Sequence, residues 1–458
     1  MKRTMILCTV LSLLFLAACG QQPAEAPSAP VVPTEPVSVT EPATEAPTEP
    51  PAEPPTEPPF DPASRLERVT DVPPLSLELG WTVDTTSETF IRELTDPKYE
   101  GRATGSAGNR AAGDWIAAQM EAFGLQPLMD GSYKHVYSDQ VVEILPGSAA
   151  VVTADGTETP LELGVDWVFT PSWEAVEQIL PLSAEIADCK AGTAFLDAEL
   201  GDQKYPYTYI QVQIGDPVAN TGARVINKRS ASRIIVTQAV YDSLKADGAK
   251  LRLSLPAAVK EGQAENICGI LPGTDSARAV MITAHFDGSG ACGTVLPGAY
   301  DNASGTGAML QAASWLSGAE ALPCDVIFVA FNGEENGKGG SEAFAQWLSG
   351  KYAYVQLINV DCVGWPGDEL TIYAWDEDSI LRNDLAGALE IPYINDIYSS
   401  DQASFLDPNI QNVALTQWAS WEYMYPELHT TADVPELLDF AMIDRLAKDL
   451  CRWVLECR

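Results

Sequence analysis

Three near-continuous apolar, largely β-branched runs, at residues 280–284, 326–331 and 355–360, each hand over to a residue that can hold a cation or move a proton. The first stops at His285-Phe286-Asp287, the second at Gly333-Glu334-Glu335 and the third at Asp361. Runs of this kind are what strands covered on both faces of a parallel sheet look like. Open α/β sheets place their ligands just beyond the carboxyl ends of such strands. Three strand ends should therefore deliver His285, Glu334, Glu335 and Asp361 to one rim. From residue 264 onward, apolar runs alternate with helix-period segments, among them 305–315, 340–348, 379–389 and 437–455. That alternation predicts an α/β fold of three layers, a mostly parallel central sheet with helices on both faces.

The remainder of the chain reads as what supplies, covers or transports that rim. Helical periodicity marks residues 86–94 and 108–123, with Gly124 as the stop. Between them, residues 100–109 are rich in types that tolerate unusual backbone angles, so this loop either joins the helices or lines the rim. Residues 136–258 change texture to short alternating segments broken by Gly, Asp and Pro. This predicts an inserted β-rich domain dividing a catalytic domain formed by residues 63–135 and 259–458.

The N-terminus has the marks of a targeting segment. Lys2 and Arg3 precede an apolar run at residues 5–18 that falls short of the roughly 20 residues a spanning helix needs. Leu16-Ala17-Ala18-Cys19-Gly20 resembles a bacterial lipobox, which makes residues 1–19 a signal peptide and Cys19 the lipidated residue. Residues 20–62 are mostly Pro, Glu, Thr and Ala without a Lys or Arg. Such a segment cannot bury enough apolar surface to fold and is expected to be an extended, disordered linker. The expectation is a protein exported from the cytoplasm and anchored to the membrane by lipid. A formal net charge of −37 over 458 residues argues against nucleic acid as a partner, because Lys and Arg supply that attraction. No cysteine spacing resembles a zinc knuckle, and most of the cysteines read as small buried apolar residues.

Only three histidines occur, His135, His285 and His429. His285, Asp301, Glu335, Asp361 and His429 can form two equivalent cation sites if one carboxylate bridges them. Each site then has an imidazole, a terminal carboxylate and a share of the bridge, with a position left for water. Glu334 stands beside a ligand without being needed as one, which makes it the natural base. Asp287 would accept a hydrogen bond from the His285 ring, or serve as a turn residue. The reaction class is metal-assisted hydrolysis of an amide.

His285-Phe286-Asp287, Asp301-Asn302-Ala303-Ser304-Gly305, Gly333-Glu334-Glu335, Asn359-Val360-Asp361 and His429-Thr430-Thr431-Ala432-Asp433, in this order, resemble the signature of metallopeptidase family 28, the co-catalytic zinc aminopeptidases and their carboxypeptidase relatives. The resemblance implies an α/β/α zinc-peptidase fold and two zinc ions bridged by Asp301. It puts His285 and Asp361 on one ion, Glu335 and His429 on the other, and Glu334 as acid/base. Residues 234–253 are similar to the end of the protease-associated insert that many relatives carry. Two positions depart from the family. Gln402 stands where relatives often have His, and Leu428 rather than an aromatic residue precedes His429. Tyr423 and Tyr425 are candidate donors to an oxyanion. The rival readings are a one-zinc glutaminyl cyclase and a non-catalytic peptide-binding lipoprotein.

Overall fold

The computed structural model describes residues 65–80, 86–169, 175–181, 210–215, 232–291, 293–417, 425 and 427–456. All of them fall within one compact unit, Phe60–Arg458. The signal segment, Cys19 and the linker at residues 20–62 lie outside the described residues.

The largest sheet carries the rim. Its main strands are β1 (Lys134–Val142), β2 (Val259–Leu271), β3 (Asp275–His285), β4 (Cys324–Phe331), β5 (Tyr354–Val360), β6 (Thr371–Ala374), β7 (Tyr393–Asn395) and β8 (Ile410–Thr416). Across the sheet they run β2-β4-β3-β5-β8-β6-β7, with β1 paired to part of β2. The four central strands, β4-β3-β5-β8, are mutually parallel, whereas β2 and β6 join them antiparallel. The parallel expectation thus holds at the centre, where the apolar runs lie, and the flanks reverse direction.

The central strands read as unbroken apolar runs because both of their faces are covered. All eight residues of β4 are buried. Val326, Phe328 and Ala330 face one core together with Val280 and Ile282 of β3, and Ile327, Val329 and Phe331 face the other. The first core is closed by α1 (Ser87–Leu94), α2 (Ala107–Ala122), α3 (Ser304–Leu316), α5 (Ile380–Leu389) and α6 (Phe440–Leu455). The second is closed by α4 (Gly339–Leu348) through Phe344 and Leu348. Cys268, Cys324, Cys362 and Cys451 are buried and carry no disulfide. They fill space as small apolar side chains do.

Three boundaries differ from those drawn on the sequence. Strand β2 begins at Val259 rather than near residue 267, because residues 259–266 form an arm that pairs with β1. That arm is polar and partly exposed, so it has no apolar run to betray it. β1 itself crosses the boundary drawn at residues 135/136, so residues 136–142 pair within this sheet. The last helix starts at Phe440, after a single 3-10 turn at Pro435–Leu437, because Asp439 caps it by accepting from the Met442 N–H.

Residues 148–255 supply two smaller sheets. Glu158–Leu161, Ser148–Val152, Lys250–Leu255 and Val176–Pro181 form one, in that order, and Trp167–Phe169, Ser232–Val236 and Ile210–Ile214 form the other. With the helix Gln238–Leu244 they enclose a separate core containing Trp167, Phe169, Ile234 and Leu253. These strands fall within residues 136–258, the stretch whose texture suggests a β-rich insert. Among the described residues no helix is long and apolar enough to cross a membrane.

Phe328, fully buried in the central strand pair, tests whether the parallel core carries the stability. Phe328→Ala is expected to cost about 3–5 kcal/mol in denaturant unfolding.

Candidate metal centre

Strand register sets the first contact. Thr283 of β3 pairs with Asn359 of β5, so two residues further on His285 and Asp361 emerge side by side. His285 Nε2 lies 3.4 Å from Asp361 Oδ1. The same nitrogen is 3.2 Å from Asp301 Oδ1, which comes from the turn Ala299–Ala303 ahead of α3. The other oxygen of Asp301 lies 2.8 Å from His429 Nε2, and that nitrogen is 3.3 Å from Glu335 Oε2. Two clusters result, His285–Asp301–Asp361 and Asp301–Glu335–His429, joined through Asp301.

Local hydrogen bonds hold these turns in place. The Asp433 carboxylate accepts from the backbone N–H groups of Tyr300 (2.7 Å) and Asp301 (3.2 Å). Asn302 donates to the Val360 carbonyl and accepts from the N–H groups of Gly305 and Cys362, which ties the Asp301 turn to the end of β5. His285 Nδ1 lies 3.2 Å from the backbone carbonyl of Asp287 and 3.5 Å from its carboxylate. That carboxylate mainly accepts from the N–H groups of Glu334 and Glu335 and from the Thr104 hydroxyl. Asp287 therefore fixes the acidic turn after β4 as well as the imidazole. Ser289 Oγ donates to Glu335 Oε1 at 3.3 Å.

The loop at residues 100–109 is part of this scaffold rather than a plain connector. Arg102 is fully buried. It donates from Nε to the Phe286 carbonyl, from one terminal nitrogen to the carbonyls of Leu94 and Pro297, and from the other to that of Gly298. One guanidinium thus clamps α1, the His285 turn and the approach to Asp301. Its neighbour Gly101 has φ +68°, and a Cβ there would sit 2.1 Å from the Gly290 carbonyl oxygen. Only glycine permits that approach.

The charge at the site is lopsided. Asp287, Asp301, Asp361, Asp401 and Asp433 are all buried there. Burial pushes Asp401 and Asp433 up to about 7 and lowers Arg102 to about 10, against the attraction of the surrounding carboxylates. Glu334 is lifted well above the usual carboxylate range, chiefly by desolvation, with His285 opposing and Asp361 and Asp401 adding to the shift. Desolvation disfavours a proton on His285 and on His429, yet the facing carboxylates outweigh it and hold both above the ordinary imidazole value. Those two imidazoles keep Asp301 well below its usual range despite its burial.

The residues present fit a pair of divalent cations. Asp361 Oδ1 and His429 Nε2 are buried with no hydrogen-bond partner. Within each cluster the imidazole nitrogen and carboxylate oxygens lie within 4.8 Å of one another. Nitrogen and oxygen donors in this mixture suit zinc. Buried polar atoms left without partners are costly, and a cation would satisfy both.

Two positions flagged by the sequence take supporting places. Gln402 is buried and accepts from Asn359 Nδ2, while its own amide donates to the Tyr398 carbonyl. Tyr425 stacks on Trp365, with ring centres 3.9 Å apart, and meets Tyr300 edge-on. Tyr423 lies outside the described residues. Asn302 and Asp433 belong to the motifs and Arg102 to the 100–109 loop, but the sequence assigns none of the three a role of its own, because their contacts are with distant backbone.

Residues 266–454 match the model of peptidase family M28, as the five motifs implied. No curated protein sequence matches the chain. Among solved structures, a zinc aminopeptidase from Bacillus subtilis superposes with a TM-score of 0.56 at 18% identity, covering 81% of this chain and 94% of that one. A peptidase M28 precursor from Shewanella amazonensis gives 0.51 at 17% identity, covering 81% and 92%. A glutaminyl cyclase from Porphyromonas gingivalis gives 0.43 at 14% identity, covering 81% and 98%. The two higher-scoring structures share the fold of this chain.

Arg102→Met would leave four buried carbonyls without their donor. It is expected to lower stability by ~3 kcal/mol or more, and to weaken zinc uptake in a chelator competition by about 10–100-fold.

Proposed function

We propose that the chain, which carries the peptidase family M28 pattern over residues 266–454, is a two-zinc aminopeptidase that removes N-terminal residues from peptides. The family match supports a metal-dependent peptide hydrolase. The two-ion site rests on one observation, the sharing of Asp301 between two three-residue donor clusters. In this reading His285 and Asp361 would hold one ion, Glu335 and His429 would hold the other, and Asp301 would be shared between them.

When bound, divalent ions at these donors supply polarisation of the scissile carbonyl and acidify the attacking water. The chain contributes the proton traffic. Glu334 takes a proton from the water at its carboxylate and returns it to the leaving amine. Its buried carboxyl resists ionisation in a metal-free site, and nearby cations favour the charged form needed for a base. Asp287 keeps that carboxyl on station by holding the Glu334 N–H.

The removal of N-terminal rather than C-terminal residues follows from charge. A carboxypeptidase needs a cation for the terminal carboxylate of its substrate. Arg102 lies beneath the site with Nε and both terminal nitrogens committed to backbone carbonyls. The excess of carboxylates over fixed cations around the rim favours a terminal ammonium over a terminal carboxylate. The lipobox-like segment around Cys19 adds the proposal that the enzyme is exported and tethered outside the cytoplasm by a lipid on that residue, with residues 20–62 as spacer.

Glu334→Gln is expected to retain two equivalents of zinc by mass spectrometry while turnover on amino-acid anilides falls about 10²–10⁴-fold. A single tightly held zinc with activity confined to N-terminal Gln would point to the cyclase instead. In cells, Cys19→Ala is expected to remove the lipid mass from the mature N-terminus and to abolish detergent-dependent partitioning of the protein. Unchanged partitioning would exclude Cys19 as the anchor.

A further inference from the structure

Six large apolar side chains stand exposed among the described residues, and four of them, Trp375, Ile380, Ile397 and Leu406, fall between residues 375 and 406. Trp375, Ile397 and Leu406, exposed by 72%, 50% and 88%, line one cavity of about 490 Å³ whose wall also includes buried Tyr373, Phe405 and Ile410. Single exposed apolar residues need no explanation, but a cluster around a concavity marks a contact surface. Three carboxylates, Asp376, Asp396 and Asp407, line the same cavity, and no lysine or arginine does. Asp396 is paired with Arg65 at 2.7 Å. The Asp376 carboxylate accepts from the Asp378 N–H while its carbonyl accepts from Arg382, and Asp407 accepts from Asn409 and Ser349; among the described residues neither carboxylate forms an ion pair with a lysine or arginine.

An exposed indole beside a free carboxylate is a receptor for a basic side chain, which gains a cation–π contact and an ion pair together. Leu406 and Ile397 add apolar contact next to it. A second copy of this chain is a poor occupant, since it would bring another −37 charges against Asp376 and Asp407. We propose that this cavity, whose lining includes none of the candidate metal ligands, docks a cationic, amphipathic segment of a partner peptide. Its inner wall meets the catalytic scaffold at Gln402, which lines the cavity and holds Asn359, two residues before Asp361.

The inference stands apart from the hydrolase reading, because its probe carries no free terminus. The probe is an N-acetylated, C-amidated peptide alternating Lys and Leu, titrated calorimetrically into the full chain alongside its Glu/Leu and Ser/Leu counterparts. Only the Lys/Leu peptide is expected to bind, and the double variant W375S/L406S is expected to weaken it at least about tenfold. Both replaced side chains project into solvent, so the melting temperature should hold. Should it fall, D376N/D407N provides the same reading without touching the apolar wall. Absence of binding, equal binding of the Ser/Leu or Glu/Leu peptide, or unchanged affinity in these variants would overturn the assignment. So would wild-type self-association in sedimentation that W375S/L406S abolishes, because a second copy would then cover the cavity.

Discussion

Asp301 offers one oxygen to each of two imidazoles, 3.2 Å from His285 and 2.8 Å from His429, and everything around the rim serves to keep it there. A carboxylate buried among other carboxylates is electrostatically unfavourable unless positive charge lies close by. The chain supplies some of that charge through the Arg102 guanidinium beneath and, while no cation is bound, through its two histidines, whose Nε2 protons bound cations would displace. Two divalent cations would supply the rest. The proposed chemistry and the need for compensating charge thus have a common origin in the acidity of the site.

Placement of so many like charges demands a stiff frame. The frame is made of backbone contacts rather than side-chain pairs at the surface. Parallel register aligns His285 with Asp361, and Asn302 fastens the Asp301 turn to the end of β5. Asp287 fastens the Glu334–Glu335 turn, and Arg102 binds four carbonyls from three chain segments. Each fastening joins residues far apart in the chain, so the site forms only once the sheet and its helices have assembled. The exposed ion pairs, such as Arg68–Glu369 and Arg92–Glu88, contribute little by comparison, because solvent screens them.

Much of this organisation was legible beforehand, and the reasons differ by element. The central strands were plain because burial on both faces leaves continuous apolar runs. The five ligand-bearing motifs stood out because His is scarce in this chain and each motif follows an apolar run or opens or closes a turn. The polar arm of β2 at residues 259–266 was missed because a two-stranded arm exposed on one side has little apolar content. Arg102 was missed for a different reason: a buried guanidinium and a surface one look alike in a sequence.

The sequence by itself determined the strand type, the α/β alternation, the β-rich insert and the residues capable of binding cations, because these depend on local periodicity and side-chain chemistry. Only the tertiary structure decided which oxygen of Asp301 faces which imidazole, that residues 100–109 brace the site, and that Gln402 supports Asn359 instead of meeting solvent. It also decided that Trp375, Ile397 and Leu406 share one cavity. Those facts depend on distances between segments up to 196 residues apart, which register, crossover geometry and packing set and no local pattern encodes.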